Sequence, residues 1–125
     1  MSELEDLLAF QIRAHKLPEP VREYRFAAKH VGIGKGLGIR LEAAGLRDWR
    51  FDFSWPDLML AVEVEGGTWI SGAHTRGGGF ERDCIKYGSA QLMNWAVYRC
   101  TGGMVRSGKA ISVIADLIKM KKDAI

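Results

Sequence analysis

The chain has no apolar run approaching the roughly 18 residues of a membrane span, so no membrane-crossing helix is expected. Its N-terminus carries acidic residues where a secretory signal would be basic. Cysteine is scarce. Cys84 and Cys100 are too few for a disulfide framework and lack zinc-ligand spacing, so they read as reduced thiols in a cytoplasmic protein. No strong charge imbalance exists: the net charge of +3 permits nucleic-acid binding without requiring it. Neither GxxxxGK[ST] nor GxGxxG occurs, which removes the phosphate-binding loop of nucleotide hydrolases and the dinucleotide fingerprint.

What the chain does have suits one compact domain over residues 1–125. Four Trp, three Tyr and five Phe can fill its core. Residues 2–16 read as a helix with Ser2 as N-cap, Glu5 three positions on, and an apolar stripe of Leu4, Leu7, Leu8 and Ile12. Pro18 and Pro20 close it. Val21 to Ala27 reads as a first strand, with Tyr24 and Phe26 on one face. Glycine then falls at every second position from Gly32 to Gly38. That segment is either a plain flexible loop or one whose bare N–H groups, with Lys35 and Arg40, approach a phosphate backbone. A short helical turn over 39–45 ends at Gly45.

The most informative stretch comes next. Strands are expected at about 49–55 and 59–65, joined by a turn at Trp55-Pro56-Asp57. Alternation sends Phe51 and Phe53 inward and Asp52 outward, and likewise Leu60, Val62 and Val64 inward and Glu63 and Glu65 outward. Pairing the strands as a hairpin gathers three carboxylates on one face. Carboxylates that close repel one another unless a cation neutralises them, and an all-oxygen set points to a divalent metal, Mg²⁺ first. The plainer alternative is a hairpin with one solvated acidic face. A long glycine-rich loop over 66–79 holds Trp69, His74 and Arg76. A helix over 80–94, a strand over 95–100, a break at 101–103 and a final helix over 107–122 complete the chain. The order α-β-β-β-α-β-α describes a small α/β sandwich, a mixed sheet flanked by helices.

With Arg50-Phe51-Asp52-Phe53, Glu63-Val64-Glu65-Gly66, His74 and Asn94-Trp95-Ala96-Val97-Tyr98-Arg99 in that order, the chain resembles the PD-(D/E)XK nuclease superfamily. More closely, it is similar to the branch of small proteins that includes the very-short-patch repair endonucleases and their bacterial and phage relatives. The resemblance runs from about Tyr24 to Val105 and implies a restriction-endonuclease-like sandwich. It implies Asp52, Glu63 and the backbone carbonyl of Val64 as metal ligands, with Mg²⁺ as cofactor and Mn²⁺ able to substitute. Glu65 departs from the family, which usually has Lys there. Some restriction enzymes of the superfamily use Glu at this place, where it could accept a proton from water or bind a second metal. Otherwise the cation has moved to Lys86, on the helix after the loop, whose plainer role is a surface pair with Asp83.

His74 is a general-base candidate or a solvated loop histidine. Arg76 could contact phosphate, and Trp69 could stack on a base, wedge into a duplex or pack under the loop. Glu5 is explained by capping, but some junction resolvases of this fold use a helix Glu at the metal. Glu23 reaches the cluster only if its face is right.

These readings imply a DNA endonuclease hydrolysing phosphodiester bonds. So small a chain has little surface for reading bases, so branched, junction, nicked or mismatched DNA is the expected substrate. A two-fold junction would suit a homodimer. Two alternatives stand beside this one: an inactive nucleic-acid-binding module on the same fold, and a phage protein that binds a host protein.

Overall fold

The computed structural model describes residues 2–66 and 78–125. Helix α1 (Glu3–Ala14) starts at Ser2, whose hydroxyl accepts the Glu5 N–H at 3.1 Å. Strand β1 (Val21–Tyr24) is followed by two short helices, α2 (Phe26–Val31) and α3 (Leu37–Ala43). Strand β2 (Phe51–Trp55), a 3-10 turn over Pro56–Leu58 and strand β3 (Leu60–Glu65) form a hairpin. Helix α4 (Gly78–Leu92), strand β4 (Ala96–Thr101), α5 (Gly102–Ser107) and α6 (Lys109–Asp123) follow.

The sheet order is β1-β2-β3-β4. The first three strands are antiparallel, and β4 lies parallel to β3 with Glu63 opposite Arg99. The parallel pair needs a crossover, and α4 lies in it. One face of the sheet packs Phe53, Trp55, Leu60 and Val62 against Leu8, Ile12, Ile111, Ile114 and Ile118 of α1 and α6. The other face packs Phe51 and Ala61 against Phe26, Leu41 and Ala90 of α2, α3 and α4. The fold is therefore a mixed α/β sandwich with helices on both faces of a four-stranded sheet, the architecture expected from the sequence.

Three local expectations need correction. The first strand stops at Tyr24, and Phe26 and Ala27 belong to α2. Their apolar side chains face the core from a helix, which alternation over so few residues cannot distinguish from a strand. The break at 101–103 is the start of α5, with Thr101 capping the Met104 N–H. Phe51 and Phe53 do not share a face: Phe51 stacks on Phe26 with centroids 4.0 Å apart, whereas Phe53 lies in the opposite core. The alternation of β2 breaks at Asp52 between them.

Ile114 is fully buried between α6 and the sheet. Ile114→Ala should lower the unfolding free energy by about 2–5 kcal/mol, the range for truncating a core aliphatic. Urea denaturation checks it, and a loss within 0.5 kcal/mol (about the scatter of surface changes) would contradict this packing.

Candidate metal centre

The break at Asp52 builds the site. Backbone pairing of β2 with β3 runs through Trp55↔Leu60, Ser54↔Ala61 and Phe53↔Val62. Beyond that point side chains take over from the ladder. The Asp52 N–H donates to Glu63 Oε2 at 2.7 Å, and the Val64 N–H donates to Asp52 Oδ2 at 2.8 Å. Each carboxylate satisfies a strand N–H that has lost its backbone partner.

Strand β1 breaks in step. Glu23 has φ of +51°, a left-handed conformation uncommon for a residue with a side chain. Its neighbours accordingly point to opposite faces. The Arg22 guanidinium lies 4.1 Å above the Phe53 ring, while Tyr24 packs in the opposite core. Glu23 itself is aimed at Asp52. Carboxylate oxygens of Glu5, Glu23 and Asp52 all lie within 4.8 Å of one another, with Glu5 and Asp52 half-buried and Glu23 exposed. Arg22 fixes the α1 side of this triad, donating to Glu5 Oε1 at 3.0 Å and to the Asp52 carbonyl at 3.1 Å. Three oxygen donors at this spacing can coordinate a hard metal ion.

Burial, then the neighbouring charge of Glu63, pushes the Asp52 carboxyl from its ordinary 3.8 up to about 7. The Val64 N–H pulls the other way, and Glu5 and Glu23 add further to the rise.

Glu63 is buried, only 5 % exposed, and its charge is answered from α4. Lys86 Nζ lies 2.6 Å and the Tyr87 hydroxyl 2.9 Å from Glu63 Oε1. Burial beside this carboxylate drives the Tyr87 phenol far above its ordinary value. Arg99 caps the group, its guanidinium 4.4 Å from the Tyr87 ring centroid, its Nε 2.5 Å from Glu65 Oε1 and its Nη2 3.9 Å from Asp83.

The sequence-derived residues therefore separate. Asp52, Glu63, Val64 and Lys86 come together through direct hydrogen bonds. Glu65 is turned to Arg99, and the acids that join Asp52 in the metal-capable group are Glu5 and Glu23. Arg40 ties down the glycine loop, donating to the Lys35 and Gly32 carbonyls, and Lys35 is exposed on that loop. Trp69, His74 and Arg76 lie outside the described residues. Sequence reasoning missed Tyr87 and Arg22. Their only signal was adjacency, Tyr87 to Lys86 and Arg22 to Glu23. No protein-family model, curated protein or solved structure matches the chain.

Because the folded state holds a proton on Asp52 that the unfolded state has lost, stability falls as pH rises from 3.8 to about 7. Asp52→Asn should thus melt higher than the parent at pH 8 in chelator, with the gain fading at pH 4. Added Mg²⁺ should raise the parent's melting temperature at pH 8 and leave the variant's nearly unchanged. A variant that melts lower at pH 8 would remove the repulsion argument.

Lys86→Met leaves the buried Glu63 charge without its cation and should cost about 3–5 kcal/mol. Urea unfolding reads this directly, and a cost below 1 kcal/mol (roughly that of an exposed pair) would mean that Glu63 does not depend on Lys86.

Proposed function

We propose that the chain is a divalent-metal-dependent DNA endonuclease of the PD-(D/E)XK kind, a single nuclease domain over residues 1–125. The observation that carries this reading is a conjunction at one end of the sheet. A metal-capable triad of Glu5, Glu23 and Asp52 stands beside a buried Glu63 that holds Lys86.

The donor set fits the ion. All three side chains offer carboxylate oxygen, which suits Mg²⁺ and allows Mn²⁺ to substitute. The raised carboxyl of Asp52 registers burial and acidic crowding, and a cation would relieve both. Asp52, Glu5 and Glu23 would hold the metal, with Glu63 and the Val64 carbonyl beside them as the family resemblance assigns. A bound divalent cation would supply charge neutralisation at a phosphoryl oxygen and at the leaving oxygen.

The chain's own residues do the rest. In this reading Lys86, held 2.6 Å from Glu63 Oε1, takes the part of the family's tripeptide lysine, orienting a water and offsetting phosphate charge. Glu63 fixes that ammonium in place. Arg99 neutralises Glu65, so Glu65 need not carry the missing lysine's role. In this reading His74 serves as general base, and Trp69, Arg76, Lys35 and Arg40 contact DNA. The substrate is DNA of a particular shape: branched, nicked, mismatched or four-way.

One observation favours a second reading, a catalytically silent DNA-binding domain on the same scaffold. The Glu63 carboxylate already accepts three donors, leaving it little capacity for a metal.

Cleavage of a panel of linear, nicked, flapped and four-way DNA in Mg²⁺ separates the two. The parent should cut at least one structure. Asp52→Asn should lose more than about a hundredfold in rate, beyond the loss typical of an outer partner at a metal site, while still binding DNA. If the parent binds DNA but cuts none of these under Mg²⁺ or Mn²⁺, the silent-domain reading replaces the nuclease.

A further inference from the structure

The nuclease reading needs a surface that receives the phosphate backbone beyond what the glycine loop offers, where Arg40 also donates to the Lys35 and Gly32 carbonyls. The described residues contain another cationic surface. Strand β2 begins one residue after Arg50. The register sets Tyr24 opposite Phe51, so Arg25 and Arg50 each lie one residue beyond that pair, at the same end of the two strands.

Asp48 stands between the two arginines. It accepts three hydrogen bonds from Arg25 at 2.6 to 3.2 Å, and Arg25 first, then Arg50, hold its carboxyl below the ordinary value. Lys29 lies 5.8 Å from the Tyr24 ring centroid, and Arg47 is exposed. The stretches 24–31 and 46–51 thus hold Arg25, Lys29, Arg47 and Arg50 against the single carboxylate of Asp48. Among the described residues, the Arg47 and Arg50 side chains make no hydrogen bond or ion pair.

The ridge is also held in place. Trp49 stacks on Phe26, and Phe26 stacks on Phe51, so the segment carrying Arg47 and Arg50 is anchored to the core between them. A cationic surface fixed before binding loses less freedom on binding than loose side chains do. Arg50 lies two residues before Asp52, at the end of the sheet where the acidic triad lies.

We infer that Arg47 and Arg50, on the ridge braced by Arg25 and Asp48, receive the phosphodiester backbone of DNA and lead it to the Asp52 end of the sheet. This inference rests on the nuclease reading and names the surface through which that site takes its substrate. Guanidinium groups suit phosphate oxygens because their paired donors match them two at a time.

The test measures binding of a fluorescent four-way junction and a linear duplex in chelator, across a salt series, beside cleavage in Mg²⁺. The double variant Arg47→Gln/Arg50→Gln should bind about tenfold more weakly at roughly 0.1 M salt. Its plot of log affinity against log salt should be shallower by roughly 2, one for each lost phosphate contact. Its melting temperature should match the parent's, since both side chains are exposed. The control Lys119→Gln/Lys122→Gln, on exposed positions of α6, should bind like the parent. If the parent cuts DNA and the arginine variant binds and cuts equally well, the ridge is wrong and the nuclease reading stands. If the α6 control weakens binding and the arginine variant does not, the DNA face lies elsewhere. A parent that neither binds nor cuts DNA overturns both.

Discussion

The hydrogen-bond exchange between Asp52 and Glu63 is the constraint on which the rest of the structure depends. Two strands that could have continued their ladder instead admit a carboxylate each, and each carboxylate takes the N–H the ladder has released. Glu63 is buried by this arrangement, and a buried carboxylate needs donors on its remaining oxygen. Lys86 and Tyr87 provide them. Helix α4 is thereby fixed to the sheet by polar contacts as well as by Ala90 in the core. Burial, and then the same Glu63 charge, accounts for the elevated Tyr87 phenol, since ionising it would place a second negative charge in a desolvated place.

The matched break in β1 extends the effect to the first helix. The left-handed conformation of Glu23 reverses the alternation of β1 opposite the point where Asp52 reverses that of β2. Sparse backbone conformations of this kind cost free energy and persist where the surroundings enforce them. Here the reversal places Arg22 over Phe53 on the α1 side, within reach of Glu5. One irregular residue therefore accounts for both the third carboxylate of the triad and the arginine that positions the second.

The sequence made the layer architecture legible because α1, β2, β3 and α6 each carry a readable period, whereas the apolar positions on which α4 was read, Phe80, Ile85 and Leu92, are exposed. It failed at α2, where Phe26 and Ala27 serve a helix too short to show one. Strand alternation brought Asp52 and Glu63 to one face, whereas Lys86 was reached only through the family resemblance, its spacing alone suggesting a surface pair with Asp83. It could not show that Phe51 and Phe53 part company, since strict alternation holds only for an unbroken strand. Nor could it separate Glu65 from the acidic group, because the partner that turns it aside, Arg99, is reached through the parallel register of β3 with β4. Glu23 depended on a backbone conformation that composition does not reveal.

The charges around the site do not balance by themselves. Glu5 is answered by Arg22, Glu63 by Lys86, and Glu65 by Arg99. Among the described residues, Asp52 and Glu23 have no cationic partner, and Asp52 accepts only the Val64 N–H through its carboxylate. Two carboxylates left without a cation, beside a third that is shared with Arg22, carry the charge that one divalent ion would neutralise. A monovalent ion would leave the half-buried Asp52 facing an unmatched neighbour. The arrangement of paired and unpaired acids thus leaves uncompensated negative charge on the Asp52–Glu23 side of the break, which is consistent with a divalent cation on a separate ground from the oxygen-only donor set.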